Sequence, residues 1–214
     1  MCIRDRAEVV IDLHFLPNIE YFCALIRHDR VLLEGQESYI KGSYRNKAFI
    51  VTSNGKQRLS IPLKRGKHQQ KNIQTVEISN VEDWQKQHWK SIKTAYENAP
   101  YWEDYSDDLA ALLLPPSSTL WDFNLNLLSG LIDILQVDCE VSLTKEYAKE
   151  HPNRLDLRQQ LLPKNVGWVL TNINDVAYGQ VFQDRLDFIP NASIIDLIFC
   201  KGPEAILILE RMIS

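Results

Sequence analysis

Asp12-x-His14 sets a carboxylate and an imidazole two residues apart, the spacing that turns both to one face of an extended chain. A carboxylate beside an imidazole can orient it as a general base. A buried or half-exposed polar pair at a strand end would look the same, and both readings stand at this point. His88 is a second candidate base. It falls one turn after Trp84 on the apolar face of an expected helix, where a hydrogen-bonded core histidine is the structural alternative.

The run Ser43-Tyr44-Arg45-Asn46-Lys47 combines two cations, an amide and a phenol just before an expected strand, with Lys41 shortly upstream. Such groups hold phosphate or carboxylate oxygens through charge-assisted bonds, although turn chemistry with solvated charge explains them too. Tyr178-x-Gln180-x-Phe182 would present a phenol and an amide on one face of an extended segment, or simply pack Phe182. Asp196 is open to a ligand-binding role. In Ser193-x-x-Asp196, however, it also fits a capping box, with its carboxylate on the amide of the cap residue.

The familiar mechanisms have no direct support, since the chain lacks a P-loop, GxGxxG, HExxH, GxSxG or EF-hand pattern. His14, His28, His68, His88 and His151 never fall at metal-ligand spacing, so no metal is expected. Cys2, Cys23, Cys139 and Cys200 form no CxxC pair, which fits reduced thiols in a cytosolic protein. Cys23 and Cys200 sit among apolar residues without a local cation, unlike activated nucleophiles.

Charge is unevenly placed. Ser38 to Val76 carries nine cations and no carboxylate, while the other 175 residues hold 15 basic against 28 acidic side chains, a net of −13. One basic segment on an acidic body suggests an anionic ligand, or a solvated hairpin paired with acids such as Glu103, Asp104, Asp107 and Asp108. The sequence pI of about 5.8 argues against extensive nucleic-acid contacts. Met1 to Arg6 (MCIRDR) back-translates to ATG TGT ATA AGA GAC AGn, which reads like sequencing-adapter DNA, and is set aside as non-native. Residues 7–214 then read as one domain. No apolar run is long enough for a membrane-spanning helix.

The elements that must position these residues follow from periodicity. Glu8–Phe15 reads as a strand ended by Pro17, Asn18 caps a helix with the stripe Ile19, Phe22, Cys23 and Ile26, and Arg30–Glu34 reads as a second strand. Asn54-Gly55 between Ala48–Ser53 and Gln57–Leu63 predicts a hairpin with a type I′ turn. Lys64–Asn72 reads as a mobile loop and Thr75–Ile78 as a short strand. Ser79 or Asn80 with Glu82 or Asp83 resembles a capping box before a helix from Trp84 to Asn98. A helix from Tyr101 to Leu114 stops at Pro115-Pro116. Ser117 or Ser118 can cap a central helix from Leu120 to Gln136, inside which Gly130 suggests a closely approaching backbone. Glu140–Leu143 reads as a strand, Asn153–Gly179 carries no clear pattern, and Ser193 and Pro203 open the last two helices. The expectation is an α/β fold: a single domain with a mixed β-sheet, the hairpin on one side and a helical second half.

Several segments together resemble the WbqC-like family. They are Phe15-Leu16-Pro17 with Tyr21-Phe22, Tyr44-Arg45-Asn46, Leu59-Ser60-Ile61-Pro62, Trp84 with His88 and Trp89, Tyr96 with Ala99-Pro100-Tyr101, Tyr178-x-Gln180-x-Phe182, and Pro190 to Leu197 with Gly202. The resemblance implies a bacterial cytoplasmic protein associated with O-antigen, lipopolysaccharide and other surface-polysaccharide gene clusters, for which a glycyl or amino-acyl transferase role has been suggested. It carries over to Arg45, Asn46, His88, Tyr178, Gln180 and Asp196, whereas Lys47 replaces a commoner Arg and Asp12 to His14 departs from the family pattern. The expected scheme has Lys41, Arg45 and Asn46 holding the anionic part of a nucleotide-linked sugar or activated acyl donor, Tyr44 among the substrate-binding residues, and Tyr178 and Gln180 orienting the acceptor. His88 or His14 is the base, and Arg45, His88 and Tyr178 surround one cavity. No cofactor is called for beyond an activated donor such as a nucleotide sugar or acyl carrier. The alternative is a non-enzymatic module binding an anion, RNA or a protein partner through the same basic stretch. The oligomeric state is left open.

Overall fold

The computed structural model describes residues 8–66, 71–165 and 167–214; the adapter-like segment, part of the expected loop from Lys64 to Asn72, and Val166 lie outside the described residues. Strand β1 (Val9–Ile11) leads through helix α1 (Ile19–Arg27) to β2 (Arg30–Leu33), and the two strands pair in parallel, Val9 opposite Val31. Asn18 caps α1, its side chain accepting from the Tyr21 amide at 3.1 Å. β5 (Glu140–Leu143) adds to β2 and the two-residue β6 (Leu155–Asp156) adds to β1, giving a parallel sheet in the order β5-β2-β1-β6. Val9, Val10 and Ile11 are all buried, as expected of a parallel strand covered on both faces. The strand order reverses beside β1. In open α/β sheets ligands gather at such a reversal, outside the carboxyl ends of the strands.

The antiparallel strands form a separate two-stranded sheet, β3 (Lys47–Thr52) and β4 (Gly55–Ser60). The mixed α/β single-domain architecture therefore holds, with its parallel and antiparallel strands divided between two sheets. The turn differs from expectation: a type I′ turn needs positive φ at both central residues, but here the positive φ, +92°, belongs to Gly55 and not to Asn54. Helices α2 (Trp84–Tyr96), α3 (Trp102–Leu113), α4 (Leu120–Leu135), α5 (Ile194–Lys201) and α6 (Ala205–Met212) complete the fold. α1 packs against α5 and α6, and α2 packs on β3 and α3.

Other local expectations are corrected by tertiary contacts. The first strand stops at Ile11, so Asp12 and His14 stand beyond its carboxyl end. In place of a strand over Thr75–Ile78 there is a 3-10 turn, Ile73–Thr75, with single bridges from Glu77 to Thr119 and Leu63 to Ile78. No capping box opens α2; Asn80 Oδ1 instead accepts from the Trp84 indole at 3.2 Å. Thr119, not a serine, caps α4. Gly130 is approached by the Leu112 side chain and not by backbone: a Cβ there would lie 2.4 Å from it. Ser193 makes no side-chain cap, because its hydroxyl donates to the Leu16 carbonyl at 3.0 Å.

Candidate functional site

The carboxyl end of β1 delivers Asp12 and His14 into the interior, both fully buried. His14 Nε2 lies 3.1 Å from Asp12 Oδ2, and the imidazole packs against the rings of Tyr21 and Tyr44 at centroid distances of 4.8 and 5.3 Å. The Gln159 amide, just past β6, donates to Asp12 Oδ1 at 3.1 Å across the strand-order reversal. Gln159 holds φ at +59°, a left-handed conformation that a residue with a Cβ adopts at some cost and that recurs at binding sites.

Arg45 is also fully buried. Its Nε and Nη2 donate to Glu37 Oε1 at 2.8 and 2.5 Å, while Nη1 sits 3.0 Å from Asp12 Oδ2 as an ion-pair contact without hydrogen-bond alignment. One guanidinium thus lies between two carboxylates whose environments separate them. Burial pulls Asp12 upward, but Arg45, His14 and the Gln159 amide outweigh it and hold the carboxyl well below the usual range. For Glu37 burial prevails over Arg45, with the Asp12 and Glu34 charges adding to it, and the carboxyl is pushed up to about 7. Five polar atoms here are buried without a hydrogen-bond partner: His14 Nδ1, Tyr21 Oη, Glu37 Oε2, Arg45 Nη1 and Asn124 Oδ1. Native interiors leave few such atoms unpaired, and a cluster of them marks a place for bound water or ligand.

Glu37 and Gln159 open onto a cleft of about 540 Å³ that is also lined by Gln36, Ser38, Tyr39, Ile40, Lys41 and Tyr147. Its frame is rigid. Buried Glu34, just past β2, accepts from Thr144 Oγ1 at 2.7 Å and from Arg158 Nη1 at 2.9 Å, joining the ends of β2, β5 and β6. The Arg158 guanidinium also stands 5.3 Å from the centre of the half-exposed Tyr147 ring.

The remaining sequence candidates fall elsewhere. Gln180 Nε2 and the phenols of Tyr178 and Tyr96 all donate to buried Asp196, at 2.8, 2.5 and 3.0 Å, and Tyr96 accepts from the Val51 amide at 3.0 Å. Asp196 is raised by burial against these three donors. Its carboxylate faces inward to them, so the capping-box reading is corrected. His88 stacks on Phe15 and meets Trp84 edge-on; burial lowers it to about 4 against a hydrogen bond to the Ser60 backbone. Asn46 accepts from Tyr39 and donates to the Ile61 carbonyl, both at 3.0 Å. Arg45, His88 and Tyr178 therefore occupy three separate packed surroundings, and the single cavity expected to hold them is absent among the described residues. Cys23 is buried and its thiol is pushed up to about 12; burial raises Cys200 too.

Charge pairing also departs from expectation. Among the described residues, ion pairs of the basic segment run to Asp12, Glu37 and Glu77, not to the acids of α3. Sequence reasoning missed Glu37, Glu34, Tyr147, Arg158 and Gln159. The one available signal was Glu37 itself, which ends the acidic body just where the carboxylate-free stretch begins. Much of the quoted family pattern is architecture: the Ile194 amide donates to the Pro17 carbonyl at 2.8 Å and the Ile19 amide to the Ala192 carbonyl at 3.0 Å.

The comparisons agree with this pattern. Residues 13–163 match the WbqC-like protein family, most of the chain, and the chain belongs to that family. It is similar to a protein of Mycobacterium tuberculosis (strain H37Rv) named "Uncharacterized protein Rv1507c", with 26% identity over 223 aligned positions covering 94% of this chain and 96% of that protein. No solved structure matches.

Proposed function

From that membership and this site we propose that the protein is a group transferase of surface-polysaccharide synthesis, moving an acyl or amino-acyl group from an activated donor to a sugar. The reduced cysteines and the family resemblance lead us to place it in the cytoplasm. The reaction site is the cleft at the carboxyl ends of the parallel strands. The observation that carries this reading is the set of unpartnered polar atoms gathered behind that cleft on His14, Tyr21, Glu37, Arg45 and Asn124. In the reaction the sugar oxygen bonds to the acyl carbon, the bond to the leaving group breaks with its electrons, and the hydroxyl proton passes by way of this cluster to the leaving group.

The chain's own residues have distinct parts in this scheme. Tyr147 offers a half-exposed aromatic face to the C–H surface of a sugar ring, and Gln36, Ser38 and Gln159 supply hydrogen bonds. Lys41, exposed at the rim, meets the anionic part of a nucleotide-linked donor. Arg45 is not available to that anion, because its charge is met by Asp12 and Glu37. Asp12 orients His14 and keeps a negative charge beside the imidazole. A thermal-shift screen with nucleotide sugars, acyl-CoA and aminoacyl donors tests the reading, followed by mass spectrometry of sugar acceptors incubated with any stabilising donor. Stabilisation lost in Lys41→Ala, with a mass increment on the acceptor, is the expected result. Absence of any stabilisation would mean that water alone fills the cluster, and the transferase reading would fall.

A further inference from the structure

The proposed function leaves open which group exchanges the proton. His14 is sealed under Tyr21 and Tyr44, and Asp12 has both oxygens engaged, Oδ1 by Gln159 and Oδ2 by His14 and Arg45. Glu37 differs from both in position: it lines the cleft itself. Its Oε1 takes two bonds from Arg45, which anchor that oxygen, while Oε2 is buried with no partner. The chain is fixed there as well, since the Glu37 carbonyl accepts from the Ile73 amide at 2.9 Å.

We propose that Glu37 is the catalytic acid–base residue of this cleft, with Oε2 receiving the proton of a sugar hydroxyl and Arg45 and Asp12 acting as positioning residues behind it. The inference rests on the transferase reading of the same cleft. As the hydroxyl oxygen bonds to the acyl carbon of the activated donor, its proton moves to Oε2. As the bond to the leaving group breaks, that proton is delivered to the leaving group, so the carboxylate is regenerated. The two carboxyls divide the work although they share Arg45: with His14 and the Gln159 amide also beside it Asp12 stays ionised, while burial pushes Glu37 up to about 7, where a carboxyl can both accept and return a proton.

The test uses the full chain labelled with 13C at the glutamate carboxyl carbons, with Glu37 assigned by the signal that Glu37→Gln removes. Its carboxyl resonance is followed against pH, alone and with methyl glycosides of glucose, galactose, mannose and N-acetylglucosamine as probes. The expected result is a midpoint near pH 7 that shifts on adding at least one glycoside. Glu37→Gln, which keeps the acceptor for Arg45, should weaken that glycoside about tenfold or more above neutrality. A midpoint in the ordinary carboxylate range overturns the assignment. So does glycoside binding that perturbs other resonances and leaves Glu37 unmoved, while sparing the sugar-binding cleft. If no glycoside perturbs any resonance, both the assignment and the sugar-transferase reading are overturned.

Discussion

Replacing Arg45 with Met, an unbranched side chain that fills much of the same space, separates the structural account of this residue from the one its sequence suggests. A solvated cation holding a ligand anion contributes about 1 kcal/mol or less to stability. The structure instead buries Arg45 completely, between Glu37 Oε1 and Asp12 Oδ2. Removing it strands two buried carboxylates, and breaking a buried pair in this way costs about 3–5 kcal/mol. For a chain of this length that corresponds to a fall of roughly 10 °C in melting temperature.

The pH dependence gives the sharper check. In the wild type Asp12 is depressed below its unfolded value, so the stability it contributes is present above the ordinary aspartate range and lost as pH falls. Without Arg45 the folded value rises, the folded state binds more protons than the unfolded chain, and the variant gains stability as pH falls. The deficit of Arg45→Met should therefore be largest at about pH 8 and shrink by more than half toward about pH 4, measured by urea unfolding with tryptophan fluorescence. A deficit under about 1 kcal/mol at the higher pH, or an equal one at both, would refute the buried network.

Three further outcomes follow from the same structure. His88 is depressed to about 4, so it favours the fold above its unfolded value of 6.5 and that contribution is lost as pH falls through 4; the stability difference between wild type and His88→Gln should lose at most about 3 kcal/mol over this window, and a flat difference would contradict its burial. Tyr178→Phe removes the donor 2.5 Å from Asp196 and should destabilise the fold by about 1.5–3 kcal/mol in chemical denaturation while leaving any donor-induced thermal shift unchanged; a lost shift with intact stability would return Tyr178 to the ligand site. Gly202→Ala places a Cβ 2.4 Å from the Tyr101 ring at a φ of +49°, so unfolding should become easier by more than about 1 kcal/mol, and a neutral result would exclude this close approach.

The cap at Asn18, the Asn54-Gly55 bend and the apolar stripes of the helices were legible because each is a contest among neighbours in the chain, whereas the two-faced alternation read over Glu8–Phe15 did not hold, since the strand ends at Ile11 and both of its faces are buried. Local preference alone placed α1, both arms of the hairpin and the positions of α2 to α4 within a few residues. β6 was not legible, since a two-residue strand exists only through its pairing with β1. The ends of that strand and of β2 nevertheless decide where the cleft lies.

The sequence by itself determined the α/β composition, the family and the residue types available for chemistry. It could not decide which carboxylate Arg45 would meet, because Asp12 and Glu37 reach it only after β1 and the segment beyond β2 are brought side by side. Nor could it tell that Tyr178 and Gln180 would turn to Asp196 and that His88 would be enclosed by Phe15 and Trp84. A charge or hydrogen-bonding group in a sequence carries only its capacity to bond. Its partner, its burial and therefore its proton affinity are fixed by distances across the fold, which local order does not encode.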